Sequence, residues 1–207
     1  MCRSAARPAP SGRPRTWVVG AQDRCAEPRA PQGRVEDEGH PVTCFDHRIA
    51  ALIALDGVYD LGDMAIDLLS LDRAEAERRL RADRDPELDA AVDAAVAAGP
   101  KIRWVVDQGM YVMGADTPRG LFATFLDYHL RDGIAQKVTC PTLVCSAADD
   151  VFFEGQPELL HEHLTCPKTL LEFTDVLGAD AHCQAGAQRL AFARVYDWLD
   201  DVLTESA

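Results

Sequence analysis

Two adjacent acids, Asp149 and Asp150, follow a short apolar run, Thr142 to Cys145, in the stretch PTLVCSAADDVFFEGQP (141–157). A carboxylate can move a proton itself, or orient an imidazole that does. Its place in the fold decides which. The run is continuously apolar and rich in β-formers, which predicts a strand buried on both faces, as in a parallel sheet. Pro141 suits the first residue of that strand. Pro157 suits the first turn of a helix opening PELLHEHL. Strand, acidic loop and helix make one βα unit of an open α/β sheet. In such sheets ligands and reacting groups collect outside the carboxyl ends of the strands, so both acids stand as candidates for chemistry.

The same stretch resembles the α/β-hydrolases, where an apolar strand, a small residue and two further residues precede the catalytic acid. Ala147 takes the small position, which implies Asp150 as the acid, with Asp149 one residue out of register. GADAHCQAGA (178–187) is similar to the histidine loop of that family and implies His182 as the base. IAALIALDGVYDLGDM (49–64) resembles the strand and loop that precede the lid. The likeness is nearest to the esterase and carbon–carbon hydrolase group that includes 2,6-dihydropseudooxynicotine hydrolase and the FrsA-like proteins, and it spans residues 45–205. It implies cleavage of an ester, amide or activated C–C bond of a small apolar substrate, without a cofactor. Asp150 would fix the tautomer of His182. His182 would deprotonate the nucleophile and later protonate the leaving group.

The nucleophile itself is missing from the pattern. The serines are Ser4, Ser11, Ser70, Ser146 and Ser206, and none stands in G-x-S-x-G. Ser146 ends the acid's own strand. The resemblance puts the elbow near Gly33, where there is no Ser, Cys or Thr; Cys44 is nearest and lacks the flanking glycines. The expectation is a partial α/β-hydrolase fold, truncated and inactive alone. The rival expectation is a non-catalytic remnant that binds a ligand or protein partner through its lid.

The elements that must position these residues follow from periodicity and caps. Ile49 to Leu55 predicts a second buried strand, ended by Asp56-Gly57 at the carboxyl edge of the sheet. If uncovered, its apolar edge would favour homo-oligomers. Residues 61–131 predict helices, and the resemblance makes them the lid. Asp72 with Glu75 forms a capping pair. Asp85-Pro86 caps another helix, which Gly99 would close in the left-handed conformation. Thr117-Pro118 opens a further one. Trp104, Tyr111, Phe122 and Phe125 are the lid aromatics that could touch substrate, unless they only hold the helices together. Thr169 to Phe173 predicts a third strand. The last helix, from about Ala187 to Leu203, should present Phe192, Val195, Tyr196, Leu199, Val202 and Leu203 as one apolar stripe.

Composition sets the outer limits. The chain has 207 residues, 47% of them hydrophobic, enough for one domain with a full core. A formal net charge of −13 excludes an ordinary nucleic-acid partner. Residues 1–35 carry seven arginines against Asp23 and Glu27, while the remainder is strongly acidic. With prolines at 8, 10, 14, 28, 31 and 41, residues 1–43 are expected to form a disordered or unrelated segment, and residues 44–207 the α/β part. No apolar run reaches the ~20 residues of a membrane span. Seven cysteines without C-x-x-C spacing suit reduced thiols in the cytoplasm. His161, His163, Cys166, His182 and Cys183 are residue types that bind zinc. His161 and His163, however, stand two apart on a helix and point to different faces, so no metal is expected.

Overall fold

The computed structural model describes residues 19–20 and 49–205. The strands are β1 (Val19–Gly20), β2 (Leu52–Leu55), β3 (Thr142–Ala147) and β4 (Lys168–Phe173). They form one sheet in the order β1-β2-β3-β4, with every pairing parallel. β3 is flanked on both sides, and all six of its residues are buried, as its unbroken apolar run requires. β1 pairs Val19 with Ala54 and Gly20 with Leu55. That strand falls inside the segment for which composition predicted no structure. The rest of residues 1–43 lies outside the described residues.

The strand period of two divides the core into two layers. On one face, Leu52 and Val144 meet Ile49, Leu130, Ile134 and Leu160. On the other, Ile53, Leu143 and Cys145 meet Phe173, Ala191, Val195 and Leu199. The last three belong to α7 (Gln188–Glu205), which packs on that face. Its expected stripe is split: Val195 and Leu199 are buried, whereas Phe192 and Tyr196 are exposed. Phe192 and Tyr196 are one helical turn apart, and the buried arc of α7 is narrower than the sequence stripe.

Between β2 and β3 the chain forms a separate helical layer, with α1 (Gly62–Leu69), α2 (Arg73–Leu80), α3 (Pro86–Ala98), α4 (Pro100–Met113) and α5 (Pro118–Phe125). The polar caps work as expected. Asp72 accepts from the Glu75 N–H at 2.8 Å, Asp85 from Leu88 at 2.9 Å and Thr117 from Gly120 at 3.0 Å. Gly99 closes α3 as expected, but it is extended at φ −172 instead of left-handed and joins α3 directly to α4, because Pro100 starts the next helix at once. The layer has a core of its own, built on Leu80, Leu88, Val92, Leu121, Phe122 and Leu126.

Asp60 ties this layer to the sheet. Its buried carboxylate accepts from Arg73 Nη2 at 2.8 Å and from the Gly62 N–H at 2.9 Å, and it is ion-paired with Arg131 at 2.6 Å. Gln156, at the start of α6 (Gln156–His163), accepts from the Asp60 and Tyr59 N–H groups at 2.7 and 3.0 Å. It also donates to Asp63 at 3.0 Å. Removing one partner of a buried pair costs about 3–5 kcal/mol. The two arginines keep part of their hydration, so Asp60→Ala should lower unfolding free energy by less, about 2–3 kcal/mol. Urea denaturation followed by circular dichroism measures this, and a loss below about 0.5 kcal/mol would contradict it.

Candidate active site

The parallel register brings the ends of β2, β3 and β4 to one edge of the sheet, and three side chains meet there. Asp150 follows β3 and is 7% exposed. Its Oδ1 accepts from the Phe152 and Phe153 N–H groups at 2.8 and 3.2 Å. Its Oδ2 lies 3.1 Å from His182 Nδ1. Asp149, the neighbouring candidate, is exposed, and its N–H donates to the Asp180 carbonyl at 2.8 Å. Asp150 is therefore the acid of this pair that contacts the imidazole.

The third side chain, Asp56, is the one that sequence reasoning treated only as a strand terminator. It is 0% exposed, and its Oδ2 also lies 3.1 Å from His182 Nδ1. The same oxygen accepts from the Cys183 N–H at 2.8 Å, and Oδ1 accepts from Gln184 Nε2 at 2.9 Å. The signal was available in the sequence. Asp56 follows a buried strand at the carboxyl edge, the same position that singled out Asp150.

The backbone is bent to build this cluster. Asp56, Cys183 and Gln184 have φ of 53, 54 and 52, left-handed values that cost a non-glycine residue about 1–2 kcal/mol. The hydrogen bonds from residues 183 and 184 to Asp56 offset that cost. Gly57, at φ +26, must be glycine, since a Cβ there would stand 2.5 Å from Val144 Cγ1.

Two rings close over the imidazole. Phe152 meets His182 edge-on with ring centroids 4.8 Å apart, and Phe153 lies at 5.6 Å. Lys101 Nζ sits 4.7 Å above the Phe152 ring, and Trp104 approaches the same ring at 6.2 Å. Of the four lid aromatics, Trp104 alone thus reaches the surroundings of His182, at 52% exposure. Tyr111 faces solvent at 86% exposure. Phe122 and Phe125, at 0% and 4%, form an edge-to-face pair inside the core of the helical layer. These two hold helices together because their rings are spent on that core.

The hydrogen bond that His182 donates to Asp150, aided by the Cys183 side chain, pushes His182 up to about 10 against the opposing effect of burial. Burial pushes the Asp150 carboxyl up, but the bonds from His182, Phe152 and Phe153 outweigh it and hold the group below its usual value. Cys145 lies beneath, driven up to about 12 by burial and then by the Asp56 charge. It is a core thiol and not a nucleophile.

No family model matches the chain. A hydrolase of Fusarium sp is 28% identical over 116 residues, covering 53% of this chain and 28% of that protein. A 20-hydroxy-prefusarin hydrolase of Gibberella moniliformis is 30% identical over 117 residues, covering 53% and 27%. The matched part thus spans under a third of the length of these two relatives. Among solved structures, an α/β-hydrolase of Penicillium superposes with a TM-score of 0.45 at 16% identity, covering 78% of this chain and 58% of that one.

A pKa raised from 6.5 to about 10 means that the ion pair stabilises the fold fully below the unfolded value, and that this is lost as pH rises through about 10. His182 should therefore remain an imidazolium at pH 8, while Asp150→Asn should bring its titration down toward the ordinary range. Imidazole nitrogen shifts followed by NMR check this. A wild-type ring that loses its proton near 6.5 would contradict it.

Proposed function

We propose that this chain, which carries part of an α/β-hydrolase fold, holds the acid and the base of a hydrolase acting on an ester, amide or activated C–C bond of a small apolar substrate. The bond between His182 and Asp150 at the carboxyl edge of a parallel sheet carries the reading. In this chemistry an acid fixes the imidazole tautomer, and the ring shuttles a proton between nucleophile and leaving group. The aromatic wall of Phe152 and Trp104 suits an apolar substrate. The esterase and carbon–carbon hydrolase group, and the use of the helical layer as a lid, belong to this same reading.

The chain's own sequence argues against activity by itself. β1 ends at Gly20, and the residues that follow are Ala21, Gln22, Asp23 and Arg24. A nucleophile elbow in G-x-S-x-G places its serine two residues after the first glycine. The residue two after Gly20 is Gln22, whose amide cannot attack a carbonyl. Gly33, near which the resemblance put the elbow, lies outside the described residues. A second reading, binding without catalysis, is favoured by the lack of any G-x-S-x-G in the sequence.

Purified chain should hydrolyse short p-nitrophenyl esters no faster than His182→Ala. Losing the nucleophile alone costs about 10⁶ in kcat, nearly as much as losing a whole triad. Turnover that disappears in His182→Ala would mean that a nucleophile is present, and Cys44 would be mutated first.

A further inference from the structure

The cluster at His182 contains more donors than an acid–base pair needs. Asp56 and Asp150 are both interior, and each places a carboxylate oxygen 3.1 Å from His182 Nδ1. Cys183 adds a thiol. One donor atom each from Asp56, His182 and Cys183 lies within 4.8 Å of the other two, and the Cys183 side chain hydrogen-bonds to His182. Both His182 and Cys183 are only half-buried, so the cluster can be reached from solvent.

We propose that Asp56, His182 and Cys183 form a three-residue binding site for a divalent cation of the Zn²⁺ class, with solvent completing the coordination. The geometry is close to what such an ion needs. Metal bonds of about 2.0–2.1 Å to nitrogen and oxygen in a tetrahedral site put those donors about 3.3 Å apart. His182 Nδ1 is 3.1 Å from Asp56 Oδ2. A mixed set of imidazole, thiolate and carboxylate selects Zn²⁺ or Co²⁺ over Mg²⁺ and Ca²⁺, which prefer oxygen alone. The ion displaces the Nδ1 proton of His182 and the thiol proton of Cys183, and both pass to solvent. One carboxylate and one thiolate then face the 2+ ion, and nothing is oxidised or reduced. The bonds that Asp56 accepts from the Cys183 N–H and from Gln184 hold its carboxylate in place, as outer-shell partners do for metal ligands. His161, His163 and Cys166 take no part in the cluster. The donors come instead from the ends of separate strands.

The site differs in consequence from the hydrolytic reading and does not rest on it. A cation on Nδ1 takes the place of the orienting acid, and the loaded chain would be unable to run acid–base chemistry at His182.

The test uses the full chain freed of metal with a chelator. Calorimetric titration with ZnCl₂ should show one equivalent bound. CoCl₂ should give a thiolate-to-cobalt charge-transfer band in the near ultraviolet. Cys183→Ser should abolish that band and weaken Zn²⁺ binding more than about ten-fold. The variant keeps the backbone N–H that Asp56 accepts, so the loop survives the substitution. Asp56→Asn should weaken binding by a similar factor and serves as the second variant. The proposal is overturned if no saturable binding near one equivalent appears. It is equally overturned if the charge-transfer band persists in Cys183→Ser, because the ion then sits on other cysteines.

Discussion

Two carboxylates from neighbouring strands converge on one imidazole nitrogen, and the backbone on either side is bent to let them. Parallel pairing of Ala54 with Val144 runs β2 and β3 toward the same edge, where the turns that follow them bring Asp56 and Asp150 together at His182. β4 extends the sheet by a six-residue register with β3 and delivers His182 from the loop beyond. Each of Asp56, Cys183 and Gln184 adopts a left-handed conformation that a β-carbon resists. The hydrogen bonds to Asp56 make that conformation tolerable. If the Asp56 carboxylate were lost, the loop that presents His182 would lose its main reason to keep this shape.

The same convergence decides the protonation state. A catalytic base works best with a pKa near the operating pH. Here the ring is raised above that, first by its hydrogen bond to Asp150 and then by the Cys183 side chain, against the opposing effect of burial. In a complete hydrolytic site a single orienting acid suffices. The second acid and the thiol set this imidazole apart.

The strands and their acids were legible because they rest on local pattern. An unbroken apolar run predicts a doubly buried strand, and β3 is one. Asp150 was found from its place just beyond that run. Asp56 stands in the same position relative to β2, yet it was passed over because Asp-Gly reads equally well as a simple turn. Its importance comes from Cys183 and Gln184, 127 and 128 residues away, and no local spacing reports that. The aromatics divide for a related reason. Trp104, Tyr111, Phe122 and Phe125 all fit helical periodicity, but whether a ring points into the helical core, to solvent or toward His182 depends on the packing of five helices. Gly99 shows the limit of cap rules. Glycine before a helix-starting proline can end one helix and begin another in an extended conformation, and the following residue decides which.

The helical layer has its own apolar core, separate from the two that cover the sheet, and it is joined to the rest through the polar knot at Asp60. Substitutions in well-separated cores act almost additively. The two parts can therefore drift at different rates over evolutionary time. Residues such as Leu88, Val92 and Leu121 can be exchanged for one another's shapes without disturbing Val144 or Phe173. The knot of Asp60, Arg73, Arg131 and Gln156 is the part that must be inherited intact, because changing one member leaves buried charge behind. A lineage could in this way reshape what lies above His182 while the strand ends that hold the imidazole stay as they are.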